Sequence, residues 1–263
     1  MRPGSGDGGR GGPAAGEKEG NGLRIEDYMA ALERIGPEGG LWALVVGYFR
    51  DHGLSRIAYL HLPPFGAPDS QEPRLTQQGF PEEWAADYVG RRLYRVDPFA
   101  LFSQQSTEPF FWRDIAHLKE ITPGERDYLR ALEAADLGDA LGIQVFGPGG
   151  RNGYVAIELE PGAPHLTGPE IREFQWACQL AHLKYCGDLE ARMPRAAALT
   201  PRERSILTWV AKGKSNSVIA DLIGISPHTV DTYLRRIYAK LGVSDRVSAA
   251  VSGIGCGLIH NLE

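Results

Sequence analysis

LTPRERSILTWVAKGKSNSVIADLIGISPHTVDTYLRRIYAKL, residues Leu199 to Leu241, spells three short helices, each with its own start signal. Thr200 followed by Glu203 is a capping box, and Pro201 falls at the first helical position, where a missing N–H costs nothing. Ile206, Leu207, Val210 and Ala211 recur at helical spacing until Gly213 ends the element. Val218, Ile219, Leu222 and Ile223 form the inward face of a second helix, stopped by Gly224. Ser226-Pro227 then opens a third by the same cap logic, with Val230, Leu234, Ile237 and Leu241 as its buried stripe.

Two helices joined by a tight turn containing Gly form a helix-turn-helix, whose second helix lies in the major groove of DNA. Burying one face of the third helix leaves His228, Asp231, Thr232, Arg235 and Arg236 outward. Arginine pairs bidentately with guanine edges, and Thr, Arg and Lys hold phosphates. Spacing alone also allows ordinary solvated positions on a small helical domain. The residues go further. The L-T-x-R-E start, the G-K-S-N turn at Gly213–Asn216, the I-S-x-x-T-V turn at Ile225–Val230 and the I-x-x-K-L-G end resemble the DNA-binding domain of LuxR-type transcription regulators. The resemblance implies DNA contacts from Thr229, Asp231, Thr232, Tyr233, Arg235, Arg236 and Lys240. Relatives often carry His at the position of Tyr233 and Asn at that of Arg236, which bears on the DNA sequence read.

The charge distribution fits a reader attached to something that does not touch DNA. Residues 199–263 hold 8 Lys and Arg against 5 Asp and Glu, a net of +3; the remainder holds 20 against 28, a net of −8. The three cysteines, Cys178, Cys186 and Cys256, are spread out with no C-x-x-C pair, so neither a disulfide framework nor a zinc site is expected. No apolar run is long enough for a membrane span, and the Gly-rich N-terminus lacks the apolar core of a secretory signal, so a cytoplasmic location is expected.

Met1 to Gly22, with nine Gly and two Pro, is expected to be a disordered tail. From Leu23 the pattern becomes globular. Helices are expected over Ile25–Ile35, Leu41–His52, Pro81–Arg91 and Pro123–Ala135, and strands over Arg56–Leu62, Arg74–Gln78, Ala140–Phe146 and Tyr154–Glu160. The last two strands make a hairpin about a Gly-Pro-Gly-Gly turn, and Phe110-Phe111-Trp112 reads as extended. A capping box at Thr167 and Glu170 starts a long helix to about Arg192. The expected fold is α+β: an N-terminal α/β/α sandwich with an antiparallel sheet over residues 23–193, a linker at 194–198, and an all-α four-helix helix-turn-helix domain over 199–263. A run from Val247 to Leu262 supplies the fourth helix, at a dimer contact or in the core.

Trp84, Tyr88, Asp97 and Trp112 form the constellation of interest in the first domain. Two indoles and a phenol can wall a pocket and donate to carbonyls, while a carboxylate accepts an amide N–H, which suits a small amphiphile. By residue type alone, aromatics in a core and Asp97 as a helix cap are the favoured reading. The W-x-x-x-Y spacing, the Asp97-Pro98 pair, the P-F-x-W segment at Pro109–Trp112 and Gly142 are similar to the autoinducer-binding domain of the same LuxR-type quorum-sensing regulators. That resemblance implies an N-acyl homoserine lactone ligand: Trp84 donating to the lactone carbonyl, Tyr88 to the acyl carbonyl, Asp97 accepting the amide N–H, Trp112 packing on the ring and Gly142 leaving room on the sheet. Phe80, Phe99 and Ala156 complete the implied lining. Phe80 stands where relatives often have Tyr, and Ala156 where Ser or Thr is common, which shifts acyl-chain preference.

GPGGRNG at Gly147–Gly153 lacks the P-loop lysine and reads as a hairpin loop. No nucleophile elbow or zinc-protease motif occurs, so neither a catalytic residue nor a bound metal is expected, and no cofactor beyond the small-molecule ligand. His61 and His182 read as structural. The chain thus reads as a ligand-responsive transcription regulator that is not an enzyme. It is expected to bind promoter DNA as a homodimer, away from any membrane. The alternatives are a regulator that senses a different small molecule or none, and an enzyme acting on such signals.

Overall fold

The computed structural model describes residues 23–36, 39–70, 74–159, 165–192 and 198–259. The expected disordered tail and nearly all of the expected linker lie outside the described residues.

In the first unit, α1 (Ile25–Arg34) and α2 (Leu41–Asp51) bury Tyr28, Leu32, Val45, Tyr48 and Phe49 at helical spacing. Strands β1 (Ile57–Leu62), β2 (Arg74–Gln78), β3 (Phe110–Phe111), β4 (Ala140–Val145) and β5 (Asn152–Glu158) form one sheet in the order β2-β1-β5-β4-β3. Every neighbouring pair is antiparallel. All six residues of β4 are buried, because helices cover both faces there. Strand β2 closes one edge and alternates between exposed and half-buried positions.

One face of the sheet packs on α1, α2 and α7 (Gly168–Arg192) through Ile57, Ile143, Val155, Ile157 and Phe174. The other face looks into α3 (Glu82–Gly90), α4 (Pro98–Ser103), α5 (Ile115–Leu118) and α6 (Pro123–Ala134) through Leu60, Ala140, Tyr154 and Ala156. This is the α/β/α sandwich with an antiparallel sheet that the sequence implies. The capping box at Thr167 and Glu170 is formed at the start of α7, with the Thr167 amide donating to Glu170 at 2.7 Å and the return bond at 3.4 Å. Trp112 departs from expectation: instead of extending β3 it opens a 3-10 turn, with its ring on the α3–α6 side, as that of Phe110 is.

The second unit comprises α8 (Pro201–Ala211), α9 (Asn216–Ile223), α10 (Pro227–Leu241) and α11 (Arg246–Gly255) around Ile206, Leu207, Ile219, Val230 and Ile237. Each starts on a side-chain cap, from Thr200, Ser215, Ser226 and Asp245 respectively. Gly224 and Gly242 end α9 and α10 in the left-handed conformation. The two units touch where the β1–β2 connection meets α11. A Cβ on Gly255 would sit 2.5 Å from the Ala67 amide nitrogen and the Phe65 carbonyl, so only glycine permits that approach.

Candidate functional site

The period-two alternation of the strands builds the floor of a pocket on the α3–α6 face. Register aligns Gln77, Ala58, Ala156, Gly142 and Phe110 in one row across the sheet. Beside it runs a row of Leu75, Leu60 and Tyr154. Ala58 and Ala156 keep the floor low between taller neighbours. The room at Gly142, expected to serve a ligand, goes to protein side chains: a Cβ there would lie 2.8 Å from Phe110 Cζ and 3.0 Å from the Tyr154 hydroxyl. Gly142 does not line the cavity itself.

The cavity above this floor has a volume of about 50 Å³. Trp84, Tyr88, Asp97, Trp112, Phe80 and Ala156 all border it, and the sheet and helices thus bring together side chains up to 76 positions apart (80 to 156). Spacing on α3 puts Trp84 and Tyr88 on one face. Phe99, the first residue after Pro98, lies flat against Trp112 with ring centroids 4.3 Å apart and planes 6° from parallel. It supports the pocket from behind instead of lining it.

Asp97 does two jobs. One carboxylate oxygen caps α4, accepting the Phe99 amide at 2.8 Å and the Ala100 amide at 3.2 Å. The other accepts the Tyr88 hydroxyl at 2.7 Å, and the Tyr128 hydroxyl lies beside the same carboxylate. Burial pushes Asp97 up to about 6 despite these donors, and among the described residues no cation pairs with it. Burial likewise drives Tyr88, Tyr128 and Tyr154 well above the usual phenol range, so all three remain neutral donors. Trp112 Nε1 donates to the Tyr154 hydroxyl at 2.6 Å. Trp84 is the half-buried member, its ring 5.9 Å from that of Tyr128, and its N–H has no acceptor among the described residues.

Tyr128 and Tyr154 are the pocket groups that motif reading passed over. Tyr154 was within reach: it stands two positions before Ala156 on a strand and so shares its face. Tyr128 comes from α6, whose placement depends on tertiary packing.

On the second unit, α10 carries Thr229, Asp231, Thr232, Tyr233, Arg235 and Arg236 along one side, with Arg235 and Arg236 fully outward. Arg235 pairs with Asp231 at 2.7 Å, and the Arg236 guanidinium lies over the Tyr233 ring at 5.8 Å. Thr229 closes the Ser226 cap, hydroxyl to hydroxyl at 2.8 Å. Lys240 is placed differently from the rest: its ammonium reaches back to the buried Glu203 at 2.6 Å and the Ala198 carbonyl at 3.2 Å. Its charge is engaged in holding α10 to the start of α8.

Two family models match the chain: the autoinducer binding domain over residues 38–185 and the luxR family of bacterial regulatory proteins over residues 197–252. The chain belongs to the LuxR-type autoinducer-binding regulators. Members of this family regulate transcription and are not enzymes. Among its relatives is the transcriptional activator AnoR of Acinetobacter nosocomialis, 25% identical over 245 residues that span 89% of this chain and 98% of AnoR. The quorum sensing-dependent regulator VjbR of Brucella melitensis is 29% identical over 191 residues, 70% of this chain and 73% of VjbR. Among solved structures, Escherichia coli SdiA superposes with a TM-score of 0.69 at 18% identity, covering 90% of this chain and 98% of SdiA. That likeness concerns the fold. Among the described residues no helix is long and apolar enough to cross a membrane.

Proposed function

We propose that this LuxR-type regulator buries an N-acyl homoserine lactone between its sheet and α3–α6, and that the liganded chain binds promoter DNA as a homodimer through α10. The observation that carries the reading is the convergence of Trp84, Tyr88, Asp97 and Trp112 on one cavity over an alanine floor. In this account Trp84 donates its unengaged N–H to the lactone carbonyl, Tyr88 turns to the acyl carbonyl, and Asp97 accepts the amide N–H. The acyl tail runs over Ala58 and Ala156 toward Leu60 and Leu75. Residues 23–193 form the ligand-binding domain, 194–198 the linker and 199–263 the DNA-binding domain.

A cavity of about 50 Å³ is too small for any acyl lactone, so binding needs the walls to part. Each buried methylene of the tail contributes roughly 0.8 kcal/mol toward that opening. Ligand burial therefore couples to folding, and a ligand at about 100 times its dissociation constant adds roughly 2.7 kcal/mol to stability.

On the DNA side, Arg235 and Arg236 reach phosphates or guanine edges, and two copies present two α10 helices to half-sites about one helical turn apart. A second reading of the ligand rests on Phe80 and Ala156, which place no polar group along the tail. SdiA has also been solved in complex with octanoyl-rac-glycerol, and an acyl ester of that kind makes the same demands on an apolar floor with polar ends. A gel-shift titration at fixed salt with acyl-homoserine lactones and octanoyl-glycerol in parallel tests both readings. The account expects tighter DNA binding with a lactone; equal DNA binding in every arm overturns it.

A further inference from the structure

The odd-numbered residues of β1 face away from the ligand pocket, and a second cavity lies on that side. It has a volume of about 630 Å³, against about 50 Å³ for the first, and lies in the range of roughly 300–1,000 Å³ that small-molecule sites occupy. Ile57 and Val155 from the sheet, Cys178, Ala181 and Leu189 from α7, and Trp42 from α2 give it an apolar interior. The sheet separates it fully from the first pocket: Ala58, Leu60 and Ala156 line one, Ile57, Tyr59 and Val155 the other.

Its polar groups divide into two sets. The deep set is already satisfied. The Tyr59 hydroxyl lies 2.9 Å from His182 Nδ1 and 3.2 Å from His61 Nδ1, and His61 Nε2 meets Asp69 at 3.0 Å. Burial lowers His61 and takes His182 down to about 4, so both rings are neutral near pH 7. Asp69 is balanced by Arg151 at 3.4 Å, and Asp188 by Lys184 at 3.3 Å. The remaining charges on the lining are Arg74 on the edge strand and Arg192 at the end of α7, both exposed. Neither has an acidic partner within 4 Å among the described residues. The first turn of α2, which lacks a side-chain cap, opens on the same space at Gly40 and Leu41.

We propose that this cavity is a second ligand site, which takes a medium-chain amphiphile with a carboxylate head, its tail along Ile57, Val155 and Ala181 and its head between Arg74 and Arg192. A positive mouth over an apolar interior selects an anionic head over a neutral one, which separates this ligand class from the uncharged lactones proposed for the first pocket. Pro68 and Asp69 also border the cavity and belong to the segment that abuts α11. An occupant therefore touches the connection between the two units.

The test uses the full chain and dodecanoate brominated in its tail, since bromine quenches an indole only at contact. The five tryptophans divide cleanly: Trp42 borders this cavity, Trp84 and Trp112 border the first, and Trp176 and Trp209 border neither. The proposal expects saturable quenching in the parent that is largely lost in Trp42→Phe and kept in Trp84→Phe. Arg74→Ala, an exposed change that the fold tolerates, should weaken the apparent affinity about tenfold. Unbrominated dodecanol should compete at least about tenfold less well than dodecanoate, for want of the charge. Quenching that survives in Trp42→Phe, that vanishes in Trp84→Phe, or that never saturates overturns the proposal, as does an unchanged affinity in Arg74→Ala.

Discussion

Asp97→Asn separates what Asp97 does for the fold from what it is proposed to do for the ligand. Asparagine keeps one side-chain oxygen, which can still cap α4 by accepting the Phe99 and Ala100 amides. Its amide group then faces Tyr88 and Tyr128, whose hydroxyls rotate to accept where they formerly donated. The folding cost is therefore small, about 1 kcal/mol. Asp97→Ala is different in kind. It removes the cap, worth about 1 kcal/mol, and strands two buried hydroxyls at about 1–3 kcal/mol each. Against a total stability of about 5–15 kcal/mol, that loss produces a poorly folded chain whose failure to bind is uninformative.

In Asp97→Asn the amide N–H of the ligand meets a donor where it needs an acceptor, which should weaken binding about 100-fold. Thermal unfolding with ligand at about 100 times the parental dissociation constant reads the difference directly. The parent gains roughly 2.7 kcal/mol, and the variant, then near its own dissociation constant, gains roughly 0.4 kcal/mol. For a domain of this size those gains correspond to shifts of about 5–10 °C and about 1 °C. A ligand-induced shift in Asp97→Asn equal to that of the parent would refute the role assigned to the carboxylate.

Four further outcomes follow from the same geometry. Because burial holds Asp97 up at about 6, lactone affinity should be level above that pH and fall as pH drops below it, with Asp97→Asn showing no such fall; isothermal titration across pH 5–8 checks this. For the fold the sign is opposite: a raised carboxyl contributes stability that is present below its ordinary value of 3.8 and is lost as pH rises through about 6. Tyr154→Phe leaves the buried Trp112 N–H without its acceptor and should cost about 1–3 kcal/mol, read by urea denaturation of the ligand-free chain. Glu203→Ala removes both the capping box and the partner of Lys240, so the helix-turn-helix should lose about 2–4 kcal/mol, seen as an earlier melting of that unit alone. Arg235→Ala and Arg236→Ala should weaken gel-shift affinity and flatten its salt dependence, while the lactone-induced thermal shift stays intact.

The parts of the fold legible in the sequence are those with local signals. The Thr200/Glu203 and Thr167/Glu170 boxes, the Ser226-Pro227 start and the glycine stops at Gly224 and Gly242 each act within one helical turn, so they survive any tertiary context. The hairpin of β4 and β5 is equally local. What the residues alone leave open is long-range pairing. Nothing near Ala58 says that it will sit beside Ala156, which in turn sits beside Gly142, yet that row is the pocket floor. Asp97 shows why residue type alone could not settle capping against binding, since the same carboxylate offers one oxygen to α4 and the other to the pocket. Lys240 shows the opposite limit: nothing in the sequence around it announces the buried Glu203 that its ammonium reaches, 37 positions away. The larger cavity behind the sheet matches no motif, because its lining is one stripe of α7 joined to scattered residues of α2, β1, β2, β5 and two connecting segments.

Native mass spectrometry of the chain, purified after expression with and without a panel of acyl-homoserine lactones, tests the central claim most directly. The account predicts one added lactone per chain from at least one culture, retained through purification and absent when Asp97→Asn is expressed in the same medium. The bare chain mass from every culture, or equal retention by Asp97→Asn, contradicts it.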